Sequence, residues 1–251
     1  MQDESLERVL KLRWIVLVMM ELVVFGVYYA YDSVVPVADF IIRELGVPRA
    51  QYGLLFSYYS LPNLLMVLLE GILLDRVGIR KAGMLFVTLC VNGVLMTAIG
   101  GSQSFQLMLL GRILYGMGAE SLSVTQIKVL SKWFMGKEFA FAVGLHVTLV
   151  RLGNFSSLNL GTPLRSWSGN WLVVLWVAFG AIVLSFIVFL LYTRLDKAKQ
   201  TAFSERGGEV ATDKFVFLEV FKFKPSYWFV NFLSHLLFVC AAFCGILQDI
   251  P

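Results

Sequence analysis

The chain has 251 residues, of which 58% are apolar and only 15% charged, and its net charge is +4. Soluble domains carry about a quarter charged residues, so this composition excludes an ordinary soluble enzyme or binding module. The small basic excess is spread along the chain, which argues against nucleic acid as a partner, while long uncharged runs and 21 phenylalanines indicate a chain that crosses a membrane several times.

The opening MQDESLERVLKLR is acidic, then basic, and the apolar run behind it is too long for a signal-peptide core, so residues 1–13 read as a cytosolic N-terminus. Six segments follow, each long enough for a bilayer core of about 20 apolar residues. They cover roughly 14–38, 52–74, 82–101, 105–127, 139–163 and 171–193. Residues 194–226 are polar, contain Gly207-Gly208 and mix both charge signs, as a cytosolic linker between bundles would. A seventh segment begins near residue 227, and the sequence stops at Pro251. The expectation is an all-α polytopic membrane protein. It consists of one six-helix bundle (14–193), the linker and the start of helix seven (227–251), with a second bundle missing, as in a fragment or truncated isoform.

The basic residues give the orientation. Sixteen of the 21 fall on one side: the N-terminus, the loop after the second segment, the loop after the fourth, and the linker. Only Arg43, Arg49 and Arg165 fall on the other side, and Arg112 and Arg151 lie within segments. This asymmetry predicts a cytosolic N-terminus. Cys90, Cys240 and Cys244 sit in apolar runs without histidines at metal-ligand spacing and read as buried thiols. Asn154-Phe-Ser matches a glycosylation acceptor, but its mid-membrane position rules that out. Phosphate-loop and zinc patterns are absent, and no nucleophile, base and orienting group share a site. No enzyme, catalytic residue, metal or cofactor is expected.

Two motifs carry the family signal. GILLDRVGIRK, Gly71 to Lys81, has the spacing G-x-x-x-D-R-x-G-x-R-K between the second and third segments. Gly71 would allow close helix approach, Asp75 would pair with a basic group or a helix N-terminus, and Gly78 would make the turn. Arg76, Arg80 and Lys81 would hold the cytosolic rim. GRILYGMG places Arg112 ahead of Gly116 and Gly118 as R-x-x-x-G-x-G. Both motifs resemble signatures of the major facilitator superfamily, which implies a two-bundle carrier working by alternating access. The first motif would be a conformational latch, and Arg112 a coupling or gating residue with snorkelling open to it.

GMGAESLSVTQ, SKWFMGKEFAFAVGL, VRLGNFSSLNL, FSYYSLPN and FGVYYAYD narrow the likeness to the lysosomal dipeptide-carrier branch of that superfamily. That resemblance implies a facilitative uniporter exporting dipeptides or other small zwitterions, set among membrane lipids. It also implies a glycosylated lysosomal membrane accessory protein and homodimerisation as partners. No acidic dileucine sorting signal stands in residues 1–13, so the lysosomal membrane rests on resemblance alone.

The residues themselves put Glu120 about 12 Å and Arg151 about 18 Å from the cytosolic side, by helical rise. Opposite charges at similar depth on neighbouring helices imply pairing or a shared wet cavity, since an unpaired charge there costs about 3 kcal/mol or more. The resemblance assigns Glu120 to a peptide's ammonium and Arg151 to its carboxylate; a structural salt bridge is the alternative. Gly144, Thr148 and Phe155 share the Arg151 face, with Asn154 beside it, as a cavity lining would. Tyr28 and Asp32, four apart, share a face and are candidates for binding or gating, while the nearby tyrosines also fit an interface belt. His146 reads as a packed histidine rather than a proton relay. Glu21 departs from the resemblance as a proton site or the partner of a basic group. Two alternative functions stay open: a proton-coupled or exchanging carrier of small organic anions, and a non-transporting fragment acting through partner binding.

Overall fold

The computed structural model describes residues 2–134 and 137–204, and all regular structure there is helical. The helix α1 spans Gln2–Asp32, followed by a 3-10 turn at Val35–Val37 and the short helices α2 (Ala38–Glu44) and α3 (Arg49–Tyr52). Five long helices complete the bundle: α4 (Leu54–Val77), α5 (Ile79–Gln103), α6 (Phe105–Trp133), α7 (Lys137–Ser168) and α8 (Leu172–Ser204). Each long helix overlaps one of the six expected segments, but α1 begins at Gln2 rather than 14 and ends at Asp32 rather than 38. There the proline ring of Pro36, without an amide hydrogen, stands in the 3-10 turn where the long helix has given way. The last helix runs past 193 to Ser204. The remainder of the expected linker and the seventh segment lie outside the described residues, as do Cys240 and Cys244.

Among the described residues, four stretches are long and apolar enough to cross a membrane by themselves, with a fifth if the bent pair 49–66 and 69–77 is one span. Helix α6 is not among the four, although it is the most deeply packed of the set, with Arg112, Tyr115, Ser121, Thr125 and Gln126 all buried. Three of its polar side chains donate to backbone carbonyls of α1. The Arg112 Nη1 donates to the Tyr31 carbonyl at 3.0 Å, the Tyr115 hydroxyl donates to Val27, and Gln126 Nε2 donates to Met20 at 3.1 Å. From the other side, the Ser185 hydroxyl of α8 donates to Val23 at 3.2 Å. The four acceptors are three or four residues apart, so one stripe of α1 carbonyls receives the polar groups that an apolar solvent cannot.

Packing follows an internal two-fold pattern. Helix α1 lies against α7 and α8 as α6 lies against α4 and α5, and α5 packs on α8. Exchanging the first three long helices for the second three maps these contacts onto themselves, the signature of nested three-helix repeats. The core along α1, α5, α6 and α8 is built from Val16, Met20, Val23, Phe86, Leu122, Ile182 and Phe189. A second cluster around Ile41, Leu55, Met108 and Trp171 closes the end that carries α2 and α3. Outward residues such as Leu61, Leu64, Leu65, Leu184 and Ile187 are large, apolar and exposed, as a lipid-facing surface requires.

Ion pairs tie the opposite end together. Arg13 of α1 meets Glu138 of α7 at 2.6 Å, Asp75 of α4 bonds Lys128 of α6, and Asp196 of α8 takes Lys132 at 3.0 Å and Arg80 of α5 at 3.7 Å. These pairs link α1 to α7, and α4, α5, α6 and α8 to one another, at one rim. Asp75 pairs with a basic group, as its position in the motif led one to expect, and Arg76 and Lys81 lie exposed beside it. Gly78 turns the chain between α4 and α5 at φ 86° and ψ 153°. That region is open essentially to glycine alone, so Gly78→Ala is expected to destabilise the folded bundle by about 2 kcal/mol, read as a lower unfolding temperature in detergent. Gly71 does not serve close packing here: a Cβ added to it would meet nothing within 4 Å. Its face of α4 is uncovered by the described helices.

Candidate substrate site

Glu120 stands half-buried on α6, and two tyrosines hold it. The Tyr59 hydroxyl of α4 donates to its Oε1 at 2.6 Å, and the Tyr28 hydroxyl of α1 donates to its Oε2 at 3.3 Å. Glycine at 116, one helical turn earlier, lets α6 approach α4 closely enough for this. A Cβ there would lie 2.1 Å from the Tyr59 carbonyl oxygen. Tyr59 also stacks within an aromatic group, 4.7 Å from the Tyr31 ring and 5.6 Å from the Tyr115 ring by centroid. The carboxylate is therefore fixed in place by neutral donors, with no cation in direct contact among the described residues.

Arg151 is exposed on α7 and makes no direct ion pair among the described residues. It remains within electrostatic range of Tyr28 and of Asp32, and Tyr28 is also within range of Glu120. Among the described residues Glu120 and Arg151 form no salt bridge with one another, and both act electrostatically on Tyr28. Gly144, Thr148 and Phe155 are exposed on the same α7 face, with Asn154 half-buried beside them and its Oδ1 without a partner. Asp32 is half-buried at the end of α1, where both Arg112 and Arg151 act on it electrostatically.

Of the partners open to Arg112, a backbone carbonyl is the one it meets. Snorkelling was open to it, yet only 2% of the residue is exposed and its guanidinium is tucked against the Tyr31 carbonyl, 5.9 Å from the Tyr115 ring centroid. Its Nε and Nη2 have no hydrogen-bond partner among the described residues. A cavity lined by Arg112, Ser33, Thr97 and Tyr115 adjoins it. The acceptor is a carbonyl in the last turn of α1, where the helix no longer uses it for its own hydrogen bonds.

Two contacts escaped sequence reasoning. Tyr59 lies in FSYYSLPN, where a tyrosine on an apolar helix reads as wall or belt; only the four-residue spacing of Tyr59 from Leu55 and Asn63 marks its face. Glu21 and His146, singled out separately, meet in the interior with Glu21 Oε1 3.7 Å from His146 Nδ1, and Ser123 Oγ stands 3.3 Å from His146 Nε2. Carboxylate, imidazole and hydroxyl follow the order of a nucleophilic hydrolase. Both contacts are longer than the roughly 2.6–3.2 Å such chemistry uses, and the histidine is sealed from solvent.

The family model described as Major Facilitator Superfamily matches residues 20–251. The chain belongs to the major facilitator superfamily. Among curated members, it is similar to the lysosomal dipeptide transporter MFSD1 of Homo sapiens, 33% identical over 79% of this chain and 46% of that protein. The Mus musculus form is 36% identical over 59% of this chain and 32% of the relative. A hexuronate transporter of Bacillus subtilis is 32% identical over 63% of this chain and 35% of its own length. The chain thus spans between about a third and a half of the length of these relatives. Among solved structures, the POT family transporter PepTSo superposes with a TM-score of 0.61 at 16% identity, covering 72% of this chain and 37% of that one. A mutant of the peptide transporter POT in complex with sulfate gives 0.59 at 18% identity, covering 93% and 46%. At those identities the likeness shows the fold alone; membership of the superfamily, with its apolar helices, marks a multi-pass integral membrane transport protein.

Proposed function

We propose that this chain supplies the N-terminal bundle of a carrier for dipeptides and other short peptides. It would work by alternating access as a facilitative uniporter in the lysosomal membrane, with its N-terminus in the cytosol. The supporting observation is the disposition of Glu120 and Arg151. A carboxylate held by two tyrosine hydroxyls and an exposed guanidinium share the surroundings of Tyr28 and do not neutralise one another. A zwitterionic peptide carries the complement, an ammonium for the carboxylate and a carboxylate for the guanidinium fork. Tyr28, Asp32, Thr148 and Asn154 would line the space between the two ends. Asp75, with Arg76, Gly78, Arg80 and Lys81, would latch the rim, and Arg112 with Gly116 would brace α6. The names of the MFSD1 relatives favour the same substrate class.

A second reading, a carrier of small organic anions, is favoured by Arg112 and Arg151 together and by the relatives named for hexuronate and sulfoacetate. Uptake of a radiolabelled dipeptide into proteoliposomes containing the full chain separates the two. Saturable uptake that survives an uncoupler is expected. Absence of dipeptide uptake, together with transport of oxalate or nitrate, would overturn the peptide reading.

A further inference from the structure

The contact between Glu21 and His146 has no role in holding a peptide, and its chemistry is incomplete as it stands. The two side chains are 6% and 3% exposed, and Glu21 Oε1, Glu21 Oε2 and His146 Nδ1 all lack a hydrogen-bond partner among the described residues. Leaving a carboxylate dry and unbonded is costly, and a buried ionised group normally finds a partner. A single proton on the imidazole supplies both a donor and a compensating charge. It turns the 3.7 Å approach into a charge-assisted hydrogen bond, with the Ser123 hydroxyl accepting from Nε2–H on the other side.

The surroundings leave this role to His146. From α6, Ser123 faces the ring, the Gln126 amide is engaged with the Met20 carbonyl, and Glu120, one turn away, is held by tyrosines. Helix α7 carries Arg151 five residues beyond His146, toward the peptide site, and Glu138 at the rim on Arg13. On α1 the other ionisable groups nearby are Tyr28, two turns along, then Tyr29, Tyr31 and Asp32 at the far end. Helix α8 reaches α1 through the Ser185 hydroxyl and has no charged residue from 172 to 193. Glu70 of α4 lies on the far flank of α6, near Ser121.

We propose that Glu21 and His146 form a proton-binding site that draws α1, α6 and α7 together at acid pH and so adjusts the peptide site. This rests on the peptide reading above, because Tyr28, Glu120 and Arg151 stand on the same three helices, each within about two turns of the proton site. The proton is added to and removed from Nδ1 of the imidazole without any covalent step. It regulates the carrier and does not travel with the peptide.

The test is a double-mutant cycle on the full chain in detergent, with Glu21→Gln, His146→Gln and the double variant unfolded thermally at about pH 5 and pH 8, which bracket histidine's charge change. Expected is a coupling between the two substitutions at least about twice as large at the acid pH. Equal coupling at both pH values, or none, would overturn the site by making the contact plain packing. Ser123→Ala, which leaves both ionisable groups in place, is the milder variant should Glu21→Gln fail to fold. It is expected to reduce the acid-side stabilisation, and an unchanged pH response in both Ser123→Ala and His146→Gln counts against the proposal. In proteoliposomes, dipeptide affinity is expected to change about fivefold between the two pH values in the wild type and to stay constant in His146→Gln. A wild type that carries no peptide at either pH sinks the transport reading, and the unfolding cycle then decides the proton site alone.

Discussion

Glu120→Gln is expected to abolish dipeptide binding while leaving the folded protein in the membrane. Glutamine keeps the shape and still accepts from the Tyr59 hydroxyl that now reaches Oε1 at 2.6 Å, so the α4–α6 contact persists. What disappears is the negative charge that would receive the peptide's ammonium. Removing one partner from such a desolvated charge pair costs about 3 kcal/mol, or roughly a hundredfold in affinity. The measurement is the thermal shift produced by a dipeptide, which should vanish in Glu120→Gln while the unliganded unfolding temperature stays within a few degrees of wild type. Arg151→Ala should lose the same shift with even less effect on the fold, because the guanidinium is exposed and makes no ion pair among the described residues. An acetylated peptide, lacking the ammonium, should bind wild type and Glu120→Gln about equally weakly. If both variants still give a full dipeptide shift, the assignment of the two peptide ends is wrong.

Much of this molecule was legible in its sequence because membranes simplify the code. Uncharged runs mark helices directly, since a lipid solvent leaves backbone groups no partner outside their own helix. Hence each of the six segments overlaps one long helix, and the helices from α4 on run past the apolar segment ends by two to eleven residues, into more polar turns. The first segment misled because hydropathy runs on through Val34–Val37 while Pro36 interrupts the helix. Glu120 was legible for the same reason that α6 looks unlike a span: charge in an apolar run is costly and calls for an explanation. Partners were not legible. Tyr59, Lys128 and Asp196 lie 61, 53 and 64 residues from the groups they bond. No local spacing encodes such distances; only the packing of helices does. Gly71 and Arg112 show the converse. Their motif fixed the residue types, while the closeness of neighbours decided that one glycine meets nothing and that one arginine is buried.

The glycines also separate cleanly by what surrounds them, and this yields the second large effect. Gly116→Ala would put a Cβ 2.1 Å from the Tyr59 carbonyl oxygen, 2.9 Å from its carbonyl carbon and 3.1 Å from its Cα. All three are backbone atoms of a packed helix, so no rotamer change relieves the clash and α4 must move away from α6. Overpacking of this kind costs about 3 kcal/mol at the upper end of its usual range. In the same site, the displacement should pull the Tyr59 hydroxyl from Glu120 and lower dipeptide affinity together with stability. Gly180→Ala provides the contrast: that position on α8 is exposed, with nothing within 4 Å of an added Cβ. Alanine there should stabilise the helix by about 0.5 kcal/mol through the unfolded chain. Parallel thermal unfolding and dipeptide titration of the two variants should show loss of both quantities in the first and loss of neither in the second. A Gly116→Ala protein as stable as wild type would mean that α4 and α6 are further apart in the membrane, and that Tyr59 does not fix the Glu120 carboxylate.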